Sequence, residues 1–283
     1  MQLHLIIERY SLGSKIILGI FFAVFAYMIL HYTFKMLEMA YVMKYKKPLY
    51  FHFHPFLKKL TDQQISILQN KFPFYKKLTE KQQKYFQHRV ASFIIDKEFI
   101  GRNSIKITEE MKVLISATAV MLTFGFRDFF IGLINKIVIY PNEFYSLIKK
   151  EQHKGEFNPK LKALVLSWED FKLGYEISND RLNLGIHEFA HAIHLNSIKE
   201  RDVSSTIFGD SFKELVELLS RNETLKNDLI TSSYFRDYAY TNQYEFMAVI
   251  IEAFIETPKE FKSHFPEIYN KTKQMLNFNF AGY

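Results

Sequence analysis

Residues 16–34 read IILGIFFAVFAYMILHYTF, 19 consecutive positions without Asp, Glu, Lys or Arg. At ~1.5 Å per residue, a helix of that length nearly crosses a hydrocarbon core about 30 Å thick. A helix satisfies its own backbone hydrogen bonds, which lipid cannot do for it. Lys15 and Lys35 bracket the run. It is long for the apolar core of a signal peptide, and no small-x-small cleavage site follows it. Residues 1–35 are therefore predicted to form an N-terminal segment with one uncleaved transmembrane helix, about 16–34.

Charge gives this anchor a direction. Its N-terminal flank carries Arg9 and Lys15, offset by Glu8, whereas Lys35, Lys44, Lys46, Lys47, Lys58 and Lys59 follow it with only Glu38 opposing them. The positive-inside rule then places residues 35–283 in the cytoplasm, on a single-pass protein of the inner membrane. A net charge of +7 calls for an acidic partner. Basic residues just past a span suit anionic headgroups. No nucleic-acid motif is visible, so the expected partner is membrane lipid and not nucleic acid.

Residues 36–60 read as a basic juxtamembrane linker, with His52 and His54 exposed in it, and residues 61–283 as one folded domain. Hydrophobic residues make up 48% of the chain, enough for a sizeable core. Thr61, Thr79 and Thr108 are expected helix N-caps, and Thr79-Glu80-Lys81-Gln82 has the form of a capping box. Residues 113–124 are apolar all round but too short to span a membrane, which predicts a core helix. Lys136–Tyr140 and Ala163–Trp168 read as strands, with a loop over 149–160 between them. Asp180 or Asn183 caps a later helix, and a last amphipathic helix runs over about 242–256. Lys76, Lys77, Lys81 and Lys84 read as a solvated face.

The string that carries chemistry is His187-Glu188-Phe189-Ala190-His191. On a helix, positions i and i+4 share a face about 6 Å apart. Both imidazoles can then reach one zinc ion at about 2 Å. Glu188 projects beside them, placed to take a proton from a water that zinc has acidified towards a pKa of about 7. The competing reading is an ordinary helix with two histidines. Its apolar neighbours Leu184, Ile186, Phe189, Ala190 and Ile193 count against that, because buried histidines need partners and a metal is one.

A catalytic zinc takes three protein ligands and leaves a position open. There is no Cys, so the third must be His, Asp or Glu. His194 is only three residues past His191 and reads as a core or supporting histidine. His194 and Ser197 also stand where a metzincin would need Gly and His, which excludes that arrangement. Glu245, Glu252 and Glu256 remain. Glu245 and Glu252 are seven apart and share a helix face, so spacing does not choose between them. Glu256 reads as a solvated residue at a frayed end.

Several ordered strings together resemble a known family. They are Arg89-Val-Ala-Ser-Phe-Ile, Thr108-Glu-Glu-Met-Lys-Val-Leu-Ile-Ser-Ala, Val138-Ile-Tyr-Pro141, Val165-Leu-Ser-Trp168, Leu184-Gly-Ile-His187-Glu-Phe-Ala-His191, and Tyr238 seven residues before Glu245-Phe-Met-Ala-Val249. Over roughly residues 85–270 the chain resembles the Mlc titration factor A family of zinc metallopeptidases. These are gluzincins distantly related to the anthrax lethal factor catalytic domain. The resemblance implies an α+β, mainly helical, zincin-like domain with a small sheet. It implies one Zn2+ per chain on His187, His191 and Glu245, with Glu188 and Tyr238 catalytic, the phenol donating to the oxyanion. Leu164–Ser167 is expected to be an edge strand for an extended substrate.

These readings converge on a membrane-anchored zinc-dependent peptidase acting on a peptide or protein substrate. The resemblance points to aminopeptidase-like cleavage of short peptides. A substrate amine would then need an anionic or carbonyl anchor, for which the sequence singles out no residue. The alternative is a membrane-tethered binding module that sequesters a transcriptional regulator, as in the best-known branch of that family. Cleavage within the bilayer is disfavoured, since the motif lies some 150 residues past the span among charged residues.

Overall fold

Helix α1 (Leu12–Tyr45) carries the uncharged run and is long and apolar enough to cross a membrane. Ile17, Phe21 and Leu30 stand exposed on it. It continues through residues 35–45, part of which reads by sequence as linker. No Gly or Pro occurs there, and the next proline is Pro48. Lys46, at φ 51°, ends the helical path. The computed structural model describes residues 11–283 except 51, 53, 55, 147–149 and 178–180. It divides into two compact units, one ending at Tyr45 and one beginning at Lys46.

The second unit opens with α2 (Asp62–Lys71), α3 (Pro73–Lys76), α4 (Glu80–Asp96), β1 (Glu98–Gly101) and α5 (Glu109–Leu122). Thr61 and Thr79 both close capping boxes, and Thr108 accepts from the Met111 amide. These caps satisfy amides that a helix start leaves bare. From Val113 to Leu122 every residue of α5 is buried, as its uniform apolarity requires. Arg89 of α4 is fully buried and donates to the carbonyls of Thr123, Phe124 and Phe126 at 2.9, 3.2 and 2.8 Å, fixing the chain as it leaves α5. Lys76, Lys77, Lys81 and Lys84 are exposed.

Strands β2 (Lys136–Tyr140), β3 (Phe144–Tyr145), β4 (Gln152–His153), β5 (Gly155–Asn158) and β6 (Ala163–Ser167) follow. The main sheet has the order β1-β2-β6-β5. β1, β2 and β6 are parallel, in register Phe99↔Ile137 and Ile137↔Leu164. β5 runs antiparallel to β6, with Gly155 opposite Leu166. Leu164–Ser167 is therefore an interior strand, which corrects its reading as an edge. The edge strand next to it is β5, drawn from a stretch that reads by sequence as loop. With Gly155 and Asn158 at its ends it lacks the apolar alternation that marks a strand. β3 and β4 form a separate short hairpin.

The rest is helical: α6 (Trp168–Glu176), α7 (Leu184–Lys199), α8 (Val203–Arg221), α9 (Glu223–Thr231), a 3-10 turn (Asp237–Tyr240), α10 (Gln243–Glu256), α11 (Pro258–His264) and α12 (Pro266–Met275). Asn183 caps α7 by accepting from the Ile186 amide, while Asp180 lies outside the described residues. The protein is thus mainly helical with a small sheet. One core joins α5 (Ile115, Leu122), α7 (Phe189, Ala192) and α10 (Ile250, Phe254) to Ile137 and Leu166 of the sheet.

His52 and His54 are not the exposed pair the sequence suggested. Their rings are part-buried, His52 at 4.7 Å from Phe124 and His54 at 4.3 Å from His88. Burial, then the Arg89 charge, pushes them down to about 3 and about 4.

Candidate active site

Helix α7 presents His187, Glu188 and His191 to a cleft of about 430 Å³. Across it lies the first turn of α10, where Asn242 accepts from the Glu245 amide and caps the helix. His187 Nε2 is 3.1 Å from His191 Nε2 and 3.1 Å from Glu245 Oε2, and His191 Nε2 is 3.2 Å from that same oxygen. Ligands about 2.0–2.1 Å from a tetrahedral metal lie about 3.3 Å from one another. The three donor atoms therefore fit one metal ion. Among the described residues this is the group that could hold one.

The charge balance of the trio agrees. Burial works against a charged His187, yet hydrogen bonds to Glu245 and Glu252 lift its pKa to about 9. Burial alone would raise Glu245, but hydrogen bonds from His187 and His191 hold it well below the usual carboxylate range. Three acceptor atoms pointed at one spot demand a positive charge. A proton or a metal ion supplies it.

Glu252, seven residues after Glu245, is fully buried and stands behind His187. It accepts from His187 Nδ1 at 2.8 Å, from Arg236 at 2.8 Å and from the Asn183 amide at 2.9 Å. A carboxylate can only accept, so Nδ1 carries a proton and Nε2 is left for a second proton or for a metal ion. The structure thus separates two glutamates that spacing left equivalent. Arg236 gave no signal in sequence, because its partner is sixteen residues away and a turn intervenes. Glu256 is half-buried and accepts from Asn183 Nδ2 at 3.2 Å, unlike the solvated residue expected.

Tyr238, in the 3-10 turn, is half-exposed in the same cleft with its ring 6.0 Å from that of His187. Burial and then the Glu245 charge hold its phenol up to about 12, so it keeps its proton. His194 lies outside the donor trio, buried with its ring 4.9 Å from Phe212 and 5.0 Å from Tyr244. At the opposite wall, Gly155 of β5 touches Glu188. A Cβ there would fall 2.7 Å from Glu188 Cγ.

Residues 56–277 match the family described as glucose-regulated metallo-peptidase M90. The chain belongs to that family. An M90 metallopeptidase uses a metal, and the trio just described is where this chain can hold it. The chain is also similar to slr2042, an uncharacterized protein of Synechocystis sp. PCC 6803, at 24% identity over 236 residues, covering 76% of this chain and 83% of that protein. The M90 match begins after the apolar helix α1, which lies outside the shared region.

Proposed function

We propose that this M90 protein is a membrane-anchored zinc peptidase, with aminopeptidase-like cleavage of peptides as its reaction. The donor trio of His187, His191 and Glu245, facing Glu188 and Tyr238 across one cleft, carries the reading. The same residues support membership of the Mlc titration factor A branch. A zinc ion on the trio would supply the Lewis acid that polarises the scissile carbonyl and acidifies water. Glu188 accepts the proton from the attacking water and returns it to the leaving amine. Tyr238, held protonated, donates a hydrogen bond to the carbonyl oxygen as negative charge develops there. Glu252 and Arg236 keep His187 oriented. The outer edge of β5, unpaired among the described residues, offers backbone groups to an extended peptide.

The anchor is α1, and the lysines that follow it support a cytoplasmic catalytic unit at the inner membrane. The test uses the full chain in detergent with aminoacyl-anilides and short peptides. Activity is expected to vanish with chelator, return with zinc and be lost in Glu188→Gln, which keeps its zinc. A zinc-loaded but inert wild type would move the function to sequestering a regulator. Protease added outside sealed spheroplasts should leave the domain intact; cleavage there would reverse the topology.

A further inference from the structure

The chain carries +7 overall, yet its cleft is anionic. Among the described residues, the cleft lining holds three carboxylates, Glu156, Glu188 and Glu245, and neither Lys nor Arg. A divalent metal on the trio would balance Glu245 and Glu188. Behind the site, Arg236 balances Glu252. Among the described residues, Glu156 is left without a cation. It lies on the edge strand β5, one residue from Gly155, the point where that strand touches Glu188. Successive strand side chains leave opposite faces, yet Glu156 lines the same cleft as Glu188 and Tyr238.

The Ser146 hydroxyl, just after β3, donates to Glu156 Oε2. That bond fixes the side chain and leaves the negative charge in place. We infer that Glu156 is the specificity residue that receives the ammonium group of the substrate. The inference rests on the peptidase reading and deepens it. Two sources share this chemistry, a free peptide N-terminus and a lysine side chain, and β5 can present either to the carboxylate.

Binding tests the anchor apart from turnover. The probes are a free-amine tripeptide amide, its N-acetyl form, and an N-acetyl tripeptide amide containing lysine. Each is titrated calorimetrically into the full-length, zinc-loaded Glu188→Gln protein, then into the same protein with Glu156→Gln or Ser146→Ala added. A charge-assisted hydrogen bond predicts about ten- to hundred-fold tighter binding of a cationic probe than of the neutral one. Glu156→Gln should erase that preference, and Ser146→Ala, which loosens the side chain but keeps the charge, should retain most of it. Preference for the free-amine probe assigns the N-terminus, and preference for the lysine probe assigns the side chain. No cation preference, or one that survives Glu156→Gln, overturns the inference. So does an equal loss in Ser146→Ala, which would mark a structural pin. Wild-type protein that shows the preference but hydrolyses nothing would refute the peptidase reading and leave the anchor standing.

Discussion

His187 Nδ1 donates to Glu252 Oε1 across 2.8 Å, with Arg236 on the far side of the carboxylate at 2.8 Å. The glutamate therefore sets both the tautomer and the ring orientation of the first histidine. Removing such a support typically weakens metal affinity about 10–100-fold. Glu252→Gln is expected to raise the zinc dissociation constant by that factor while the helices persist. Competition with a chromogenic chelator measures the first and circular dichroism the second. Unchanged zinc affinity would remove Glu252 from the site.

Tyr238→Phe removes one hydroxyl at a half-exposed position, so folding should be unaffected. If the phenol stabilises the developing oxyanion, kcat should fall by roughly 100-fold, about 3 kcal/mol, with KM little changed. A rise in KM at constant kcat would instead make Tyr238 a binding residue.

Gly155 has no room for a side chain, since a Cβ would meet Glu188 Cγ and Leu184 Cδ1, each at 2.7 Å. Gly155→Ala must push Glu188 or the β5 edge away. Overpacking of this kind costs about 1–3 kcal/mol. The expected result is a lower melting temperature together with a kcat loss larger than the stability change explains. Wild-type activity in this variant would show that β5 yields without disturbing Glu188.

His52 and His54 should make the second unit acid-sensitive. Burial lowers both, to about 3 and about 4, and His88, whose Nδ1 accepts from the Lys58 amide, is lowered as well. Nearby charges are Arg89, Lys58 and Lys81. In the unfolded chain a histidine titrates near 6.5. Below that pH the unfolded state takes up protons that the folded state refuses, so the stability these groups contribute is complete above 6.5 and is lost as pH falls towards 4. The double change His52→Phe, His54→Phe should flatten the fall in urea midpoint between pH 7.5 and 5. An identical fall in wild type and variant would place the acid sensitivity elsewhere.

Much of the fold was legible because its signals are local. Thr79 and Gln82 form the predicted capping box, α5 is buried as its unbroken apolarity demands, and β2 occupies the predicted Lys136–Tyr140. β5 was missed because its strand character comes from pairing with β6 and not from its own residues. The packing of His52 was missed for a similar reason. Its neighbours Tyr85 and Phe124 lie far along the chain, and its own surroundings read as linker.

Sequence by itself determined that residues 16–34 form one uninterrupted apolar helix segment and that His187, Glu188 and His191 share a turn of helix. Both follow from spacing along a single element. Spacing left Glu245 and Glu252 equivalent, the family resemblance implied Glu245, and only the tertiary structure gives the physical reason. Seven helical residues return nearly to the same face but advance about 10 Å along the axis. Which of the two meets the trio therefore depends on how far α10 slides along α7, a matter of packing between segments more than fifty residues apart. Packing puts Glu245 at the donor atoms and Glu252 behind the ring.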